Sequence, residues 1–378
     1  MPEVQPRLIT YCTNIHPGET WAEVFDALRR HLPTIKAAVS PHRPFPVGLR
    51  LGARAARMLS DFESARFAAW LGEHDLFVPT LNGFPFGDFH SERVKGDVYL
   101  PDWRSPARVQ YTTRLADLLA RWLPAGMTGS ISTVPLGHKI AIGAADAACV
   151  RANLTAALAH LAAIADEHGK HIMLALEPEP GCALETTAEV CRFFDDLALP
   201  AALRLHLGIC YDCCHQAVQF EGPRESLAAL AAAAVPIAKV QISSAPRLQG
   251  AHADELASLA EPRYLHQVAV RQPDGVVCRY PDLPIALATH PRASRDEWRC
   301  HVHLPIFHTG YGGIETTREF ITQLLPLAPA AALLEVETYT WDVLPEHLRL
   351  AGVGESIIRE LTWLQGELSC IAPSSSMS

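Results

Sequence analysis

Short runs rich in β-branched and aromatic residues alternate with longer amphipathic stretches from one end of the chain to the other. This is the pattern of parallel strands joined by crossover helices. The strand-like runs are LITYCT (8–13), VGLRL (47–51), FVPTLN (77–82), SISTV (130–134), IMLALE (172–177), LHLGICYD (205–212), AKVQIS (238–243) and ALLEVE (332–337). Helical periodicity occupies 20–39, 53–72, 106–123, 146–168, 186–197, 223–234, 316–327 and 355–368. In the first of these, Thr20 and Glu23 have the spacing of a capping box, and Trp21, Val24, Phe25 and Leu28 share one face. Eight strands, each followed by a helix, predict a closed (β/α)8 TIM barrel as a single domain over residues 1–368. An open, doubly wound sheet is the alternative built from the same elements.

Two segments break the rhythm. Residues 83–105, GFPFGDFHSERVKGDVYLPDWRS, read as a long loop after strand three that lies over the catalytic face of a barrel. Residues 262–305 contain YLHQVAV, QPDG and VVCRY, which predict a β-hairpin inserted after strand seven, followed by a further β-like run, WRCHVHLPIF. Residues 369–378 are expected to form a disordered tail.

Composition then narrows the class. Of 378 residues, 49% are hydrophobic, enough for a large core, yet no run is long and apolar enough to predict a membrane span. The amino-terminal stretch lacks the pattern of a secretory signal, so a cytoplasmic location is expected. The ten cysteines follow no disulfide-framework spacing. A net charge of −9 argues against a nucleic-acid partner, since phosphate binding needs a basic surface.

In a barrel, chemistry sits where strands end, so polar residues at strand ends are the candidates. Strand five ends in Glu177, a carboxylate directly followed by Pro178 that needs a cation, a partner or water. Strand six ends in Asp212, which alternation places on one face with His206, Gly208 and Cys210. If a helix starts after Asp212, His215 returns over the same strand end; there it either joins the Asp212 ion or donates to a loop carbonyl. Strand seven ends in Gln241, an oxygen ligand, a substrate contact or an ordinary amide, while Lys239 is placed on the opposite face and given no role. His301 and His303, read as part of a β-like run, would point their rings to one side. Glu335 and Glu337 share a face of strand eight, one nearer the ion and the other deeper or acting on substrate.

The sulfurs fit less well. Cys210, Cys213 and Cys214 form a C-x-x-C-C run, but no second pair stands at zinc-ribbon distance, and haem attachment would need Cys where Tyr211 stands. Oxygen and nitrogen ligands from consecutive strand ends favour a harder divalent ion.

The strings LEPEPG, CYDCCH, HVH and LEVET resemble the xylose-isomerase-like TIM-barrel superfamily of sugar isomerases, ketose epimerases and endonuclease IV. Within it the chain resembles, over roughly residues 8–365, the EboE family of metabolite-traffic proteins, through YCTNIHPGETW, TLNGFPFGDFH, VYLPDW, SISTVPLG and QISSA. The resemblance implies metal ligands at Glu177, Asp212 and Glu337 or Glu335, with His215, Gln241, His301 and His303 around them. It implies one or two divalent ions (Zn, Mn, Mg or Co) and acid–base catalysis by Glu177, Glu335 or Glu337. Asn82, His90, His16 and Trp341 are the expected substrate contacts.

The implied activity is metal-dependent isomerisation or epimerisation of a sugar-like metabolite. Two alternatives remain: metal-dependent phosphoester hydrolysis, and binding and delivery without turnover, with other export-pathway proteins as partners. Endonuclease IV has a His at the end of strand seven and an acidic residue two before its last His; Gln241 and His301 depart from both.

Overall fold

Thr20 begins the first helix as its spacing predicts: its hydroxyl accepts from Glu23 N, and Glu23 Oε2 accepts from Thr20 N at 2.9 Å. Such local signals recur along the chain, which a computed structural model describes over residues 7–349 and 352–371. The barrel strands are β1 (Ile9–Tyr11), β2 (Phe45–Arg50), β3 (Leu76–Asn82), β4 (Gly129–Thr133), β5 (Ile172–Leu176), β6 (Leu207–Asp212) and β7 (Ile237–Ile242). An inserted unit follows, with β8 (Pro246–Gln249), β9 (Val268–Arg271), β10 (Val277–Tyr280), β11 (Glu297–Cys300), β12 (Gly310–Tyr311) and β13 (Ile314–Thr316). The eighth barrel strand is β14 (Leu333–Val336).

All neighbours in the barrel sheet are parallel, in the order β1-β14-β7-β6-β5-β4-β3-β2. The seam between β1 and β2 closes by a single bridge, Cys12 to Gly48, helped by hydroxyls. Thr10 Oγ1 donates to Pro46 O at 2.6 Å and accepts from Gly48 N at 3.1 Å, and Thr13 Oγ1 accepts from Arg50 N at 2.9 Å. Side chains thus satisfy backbone groups where the ladder is thin, leaving a nearly closed (β/α)8 barrel rather than an open sheet.

The surrounding helices are α1 (Trp21–Val39), α2 (Ala53–Met58), α3 (Asp61–Glu73), α4 (Pro106–Trp122), α5 (Ala147–His168), α6 (Thr187–Asp196), α7 (Ala201–Arg204), α8 (Cys213–Val218), α9 (Pro223–Ala232), α10 (Leu283–Thr289), α11 (Arg318–Leu324) and α12 (Val353–Ile371). The helix expected over 53–72 is two, because Ser60 takes the N-cap of α3 by accepting from Glu63 N at 3.2 Å. Among the described residues, one helix, Ala144–His168, is long and apolar enough to cross a membrane. Its Leu154, Leu158 and Leu161 are buried with the barrel core. Of the tail expected at 369–378, the first three residues continue α12, and 372–378 lie outside the described residues.

The insertion differs most from expectation. The β9–β10 pairing is one edge of a six-stranded antiparallel sheet, ordered β10-β9-β11-β8-β13-β12, that begins directly after β7 and continues past residue 305. It has its own core, including Leu248, Leu256, Val270, Trp298 and Leu304. His301 and His303 do not belong to a strand: β11 ends at Cys300, and the chain then turns back toward the barrel with His301 N on Gln267 O at 2.8 Å.

α12 anchors this return. Glu360 Oε1 accepts from Ile306 N at 3.1 Å and Thr338 Oγ1 at 2.6 Å, and burial pushes its carboxyl up to about 7. Because the folded value lies above the unfolded one, the contribution of Glu360 is full below the unfolded carboxylate range and is lost as pH rises through about 7. Glu360→Gln keeps the acceptor oxygen and carries no charge, so it is expected to flatten the stability profile over that window. At pH 8 it should gain up to about 3 kcal/mol over the parent, read by urea unfolding at a series of pH values.

Candidate metal centre and active site

Proline after Glu177 and a helix start after Asp212 stop two neighbouring strands at the same end of the barrel, so their terminal carboxylates meet. One ligand atom each from Glu177, Asp212 and Glu337 lies within 4.8 Å of the others, and the same holds for Asp212, His215 and His303. Asp212 belongs to both groups because it caps α8: its Oδ1 accepts from His215 N and Ser243 Oγ, both at 2.8 Å. Its Oδ2 is buried without a partner, as are Glu177 Oε2 and His303 Nε2.

Each histidine is oriented by its other ring nitrogen. His215 Nδ1 meets Pro178 O at 2.9 Å, His303 Nδ1 meets Glu337 O at 2.9 Å, and His301 Nδ1 meets Gln267 Oε1 at 2.7 Å. Each acceptor is a carbonyl oxygen, so Nδ1 carries the proton and Nε2 presents a lone pair, the arrangement of metal-binding imidazoles. The Nε2 atoms of His215 and His301 are 3.0 Å apart. Two facing lone pairs at that distance repel unless a proton or cation lies between them. Burial, with repulsion from neighbouring histidines, pushes His301 well below the ordinary imidazole range, and burial takes His303 down to about 4. A cation is therefore the better occupant.

The carboxyls respond in the opposite direction. Burial, reinforced by neighbouring carboxylates and opposed by Lys239, pushes Glu177 up to about 8 and Glu337 well above the carboxylate range. Glu337 Oε1 accepts from Asn14 Nδ2 at 2.8 Å and Asn82 Nδ2 at 3.1 Å. The orphaned atoms and the donor set of three carboxylates and imidazoles fit a divalent ion. Gln241 stands in register with Asp212 on β6 and Glu335 on β14, with both side-chain polar atoms unpartnered.

Glu335 is not available as a base. Lys239, two residues before Gln241 and so on the same inward face rather than the opposite one, binds Glu335 Oε2 in a fully buried ion pair. The side chain of Glu335 turns into the barrel interior, where a Cβ on Gly48 would lie 1.8 Å from its Oε1. Glycine at 48 is what makes room for the carboxylate.

Of the expected substrate contacts, only Asn82 lines the cavity beside the carboxylates, a space of about 60 Å³. His16 turns away to Tyr11 OH, at 2.9 Å, and stacks on His31. His90 faces Glu19 while its neighbour Phe89 takes the cavity wall, and the Trp341 ring lies near the Arg349 guanidinium instead. Residues absent from the expectation line the cavity too: Asn14, Tyr99, Glu179, Tyr264 and Tyr339. Glu179 Oε1 accepts from Tyr99 OH at 2.7 Å, and burial pushes its carboxyl up to about 8. The alternation in LEPEPG marked a second acidic residue there. Cys213 begins α8 and packs in the barrel core, whereas Cys214 lies with His301 and His303 in a third potential ligand group. Burial pushes the Cys214 thiol well up, which disfavours the thiolate.

A family model described as a xylose isomerase-like TIM barrel matches residues 47–266, a span that ends before His301, His303 and Glu337. No curated protein sequence matches the chain. A xylose isomerase-like TIM barrel protein from Mycobacterium smegmatis, solved in complex with magnesium, is similar over 98% of this chain and 100% of its own, at 13% identity and a TM-score of 0.56. A xylose isomerase domain protein from Planctomyces limnophilus covers 97% and 99% at 15% identity, with a TM-score of 0.55. A D-allulose 3-epimerase from Methylomonas sp. covers 96% and 99% at 14% identity, with a TM-score of 0.53. At these identities the likeness is one of fold.

Proposed function

The chain belongs to the xylose isomerase-like TIM-barrel family, and from that premise we propose that it is a divalent-metal-dependent isomerase or epimerase of a small hydroxy-carbonyl metabolite. The convergence of Glu177, Asp212 and Glu337 carries this reading. These three, with His303 and Gln241 beside them, would hold the ion. An ion held there would supply chelation of substrate oxygens and stabilisation of the charge that develops on them. Asn14 and Asn82 hold Glu337 in place from one side. Through the carboxylate oxygen that the ion would leave free, Glu177 would take or return a proton. Phe84, Phe89 and Tyr339 line the cavity and would limit the water beside a bound substrate.

Metal analysis and assay against a panel of ketoses and polyols test the proposal. Protons on the raised carboxyls compete with the ion, so affinity is expected to rise with pH until about 8, where Glu177 ionises without help. Calorimetry in buffers of different ionisation enthalpy reads the released proton. A protein that takes up no divalent ion would defeat the proposal.

The His215–His301 contact favours a second reading, hydrolysis of a phosphoester with two ions. Two bound ions per chain would support it, and one would support isomerisation. The resemblance to EboE supports a third, delivery of a metabolite in a cytoplasmic export route; metal-dependent binding of a metabolite without turnover distinguishes it.

A further inference from the structure

The cavity has two chemically different ends. Polar atoms without protein partners gather at the carboxylate end: Glu177 Oε2, Asp212 Oδ2, His303 Nε2 and Asn14 Oδ1. Away from the barrel core, Phe89, Val94 and Tyr264 form a separate apolar cluster with Val98 and Tyr339 packed against it. The rings of Phe89, Tyr264 and Tyr339 are mutual neighbours, with centroids 5.0 to 5.3 Å apart. Tyr339 also lies 4.8 Å from the His303 ring, which joins the apolar wall to the metal end.

Tyr264, Tyr99 and Lys95 on that wall are already engaged, and the Tyr339 hydroxyl has no partner among the described residues. Tyr264 OH donates to Phe89 O at 3.2 Å, Tyr99 OH donates to Glu179 and accepts from Gln267 Nε2, both at 2.7 Å, and Lys95 Nζ is paired with Asp282 at 2.7 Å. Aromatic rings alone would suit a sugar, since its C–H faces stack on them. A sugar also brings hydroxyls along its whole length, and each one buried without a partner weakens binding by roughly tenfold or more.

We propose that the site takes a substrate whose vicinal chelating oxygens are carried on an apolar, ring-bearing body rather than on a polyhydroxylated chain. This rests on the metal-dependent reading above and names its substrate class. Such a molecule places its oxygens among the unpartnered atoms and its ring against Phe89, Tyr264 and Val98.

The test uses the full chain loaded with Mn²⁺ or Zn²⁺ and calorimetric titration with three probes: 2-hydroxyacetophenone, hydroxyacetone and D-fructose. The first two share one chelating head and differ in the ring. The aryl probe is expected to bind at least about tenfold more tightly than hydroxyacetone, and fructose no more tightly than hydroxyacetone. Val98→Ser should weaken the aryl probe several-fold more than it weakens hydroxyacetone; Leu265→Ser, on the same cavity, provides the second variant if the first fails to fold. Fructose binding more tightly than the aryl probe overturns the proposal. So does an ion-loaded protein that binds none of the three, and in both cases the metal centre survives. Failure to take up an ion overturns the functional reading and this one together.

Discussion

Asp212→Asn is expected to lower divalent-ion affinity by at least about 100-fold while leaving the fold intact. The asparagine Oδ1 can accept from His215 N and Ser243 Oγ as the carboxylate does, so the cap of α8 survives. The other position becomes an amide nitrogen, which has no lone pair to offer where Asp212 Oδ2 now stands without a partner. Two readouts separate the metal effect from a structural one. Circular dichroism of the ion-free variant should match the parent. An ion held at 100 times the parent's Kd should stabilise the parent by about 2.7 kcal/mol and the variant by less than about 0.5 kcal/mol. Parent-like affinity in Asp212→Asn would place the ion elsewhere in the protein.

Breaking the pair inside the barrel should be the most destabilising single change. Lys239 and Glu335 are both fully buried, and Lys239→Met leaves the carboxylate without its cation. A loss of about 3–5 kcal/mol is expected at pH 8 from urea unfolding. The Glu335 carboxylate would then be desolvated with no counter-charge beside it. Lys239→Met with Glu335→Leu removes both charges and should recover to within about 2 kcal/mol of the parent, because replacing a buried pair by apolar groups is often nearly neutral. A single variant costing under about 1 kcal/mol would show that water reaches the pair.

The barrel strands were legible because each is a short apolar run closed by a turn or a cap, a signal that depends on a few adjacent residues. Glu177, Asp212 and Glu337 were legible for a related reason: strand ends are visible in the chain, and alternation assigns each side chain a face. The helix break at Ser60 was written in its S-x-x-E spacing, masked by apolar periodicity that continues across it. Glu335 shows the limit of alternation. Parity names the face a side chain points to but not its depth or partner, so it could not separate a carboxylate at the barrel mouth from one bound to Lys239 inside. His301 and His303 were grouped through a strand they do not form; their Nε2 atoms face the site because Gln267 and Glu337 O hold their Nδ1 atoms.

His16, His90 and Trp341 were chosen by their place in motifs, and each ring found a nearer partner than the cavity. Of the inserted sheet, the β9–β10 hairpin and the run that holds β11 were legible; β8, β12 and β13 escaped because they have two to four residues each and most of the sheet's pairings join distant segments. By itself, then, the sequence determined the order of the barrel strands and the carboxylates that follow β5 and β14 and end β6, since these depend on neighbours in the chain. Only the tertiary structure decided which carboxylate meets Lys239, which ring nitrogens face the ion site and which aromatics wall the cavity. Those outcomes depend on contacts between residues up to hundreds of positions apart, and no local pattern encodes such distances.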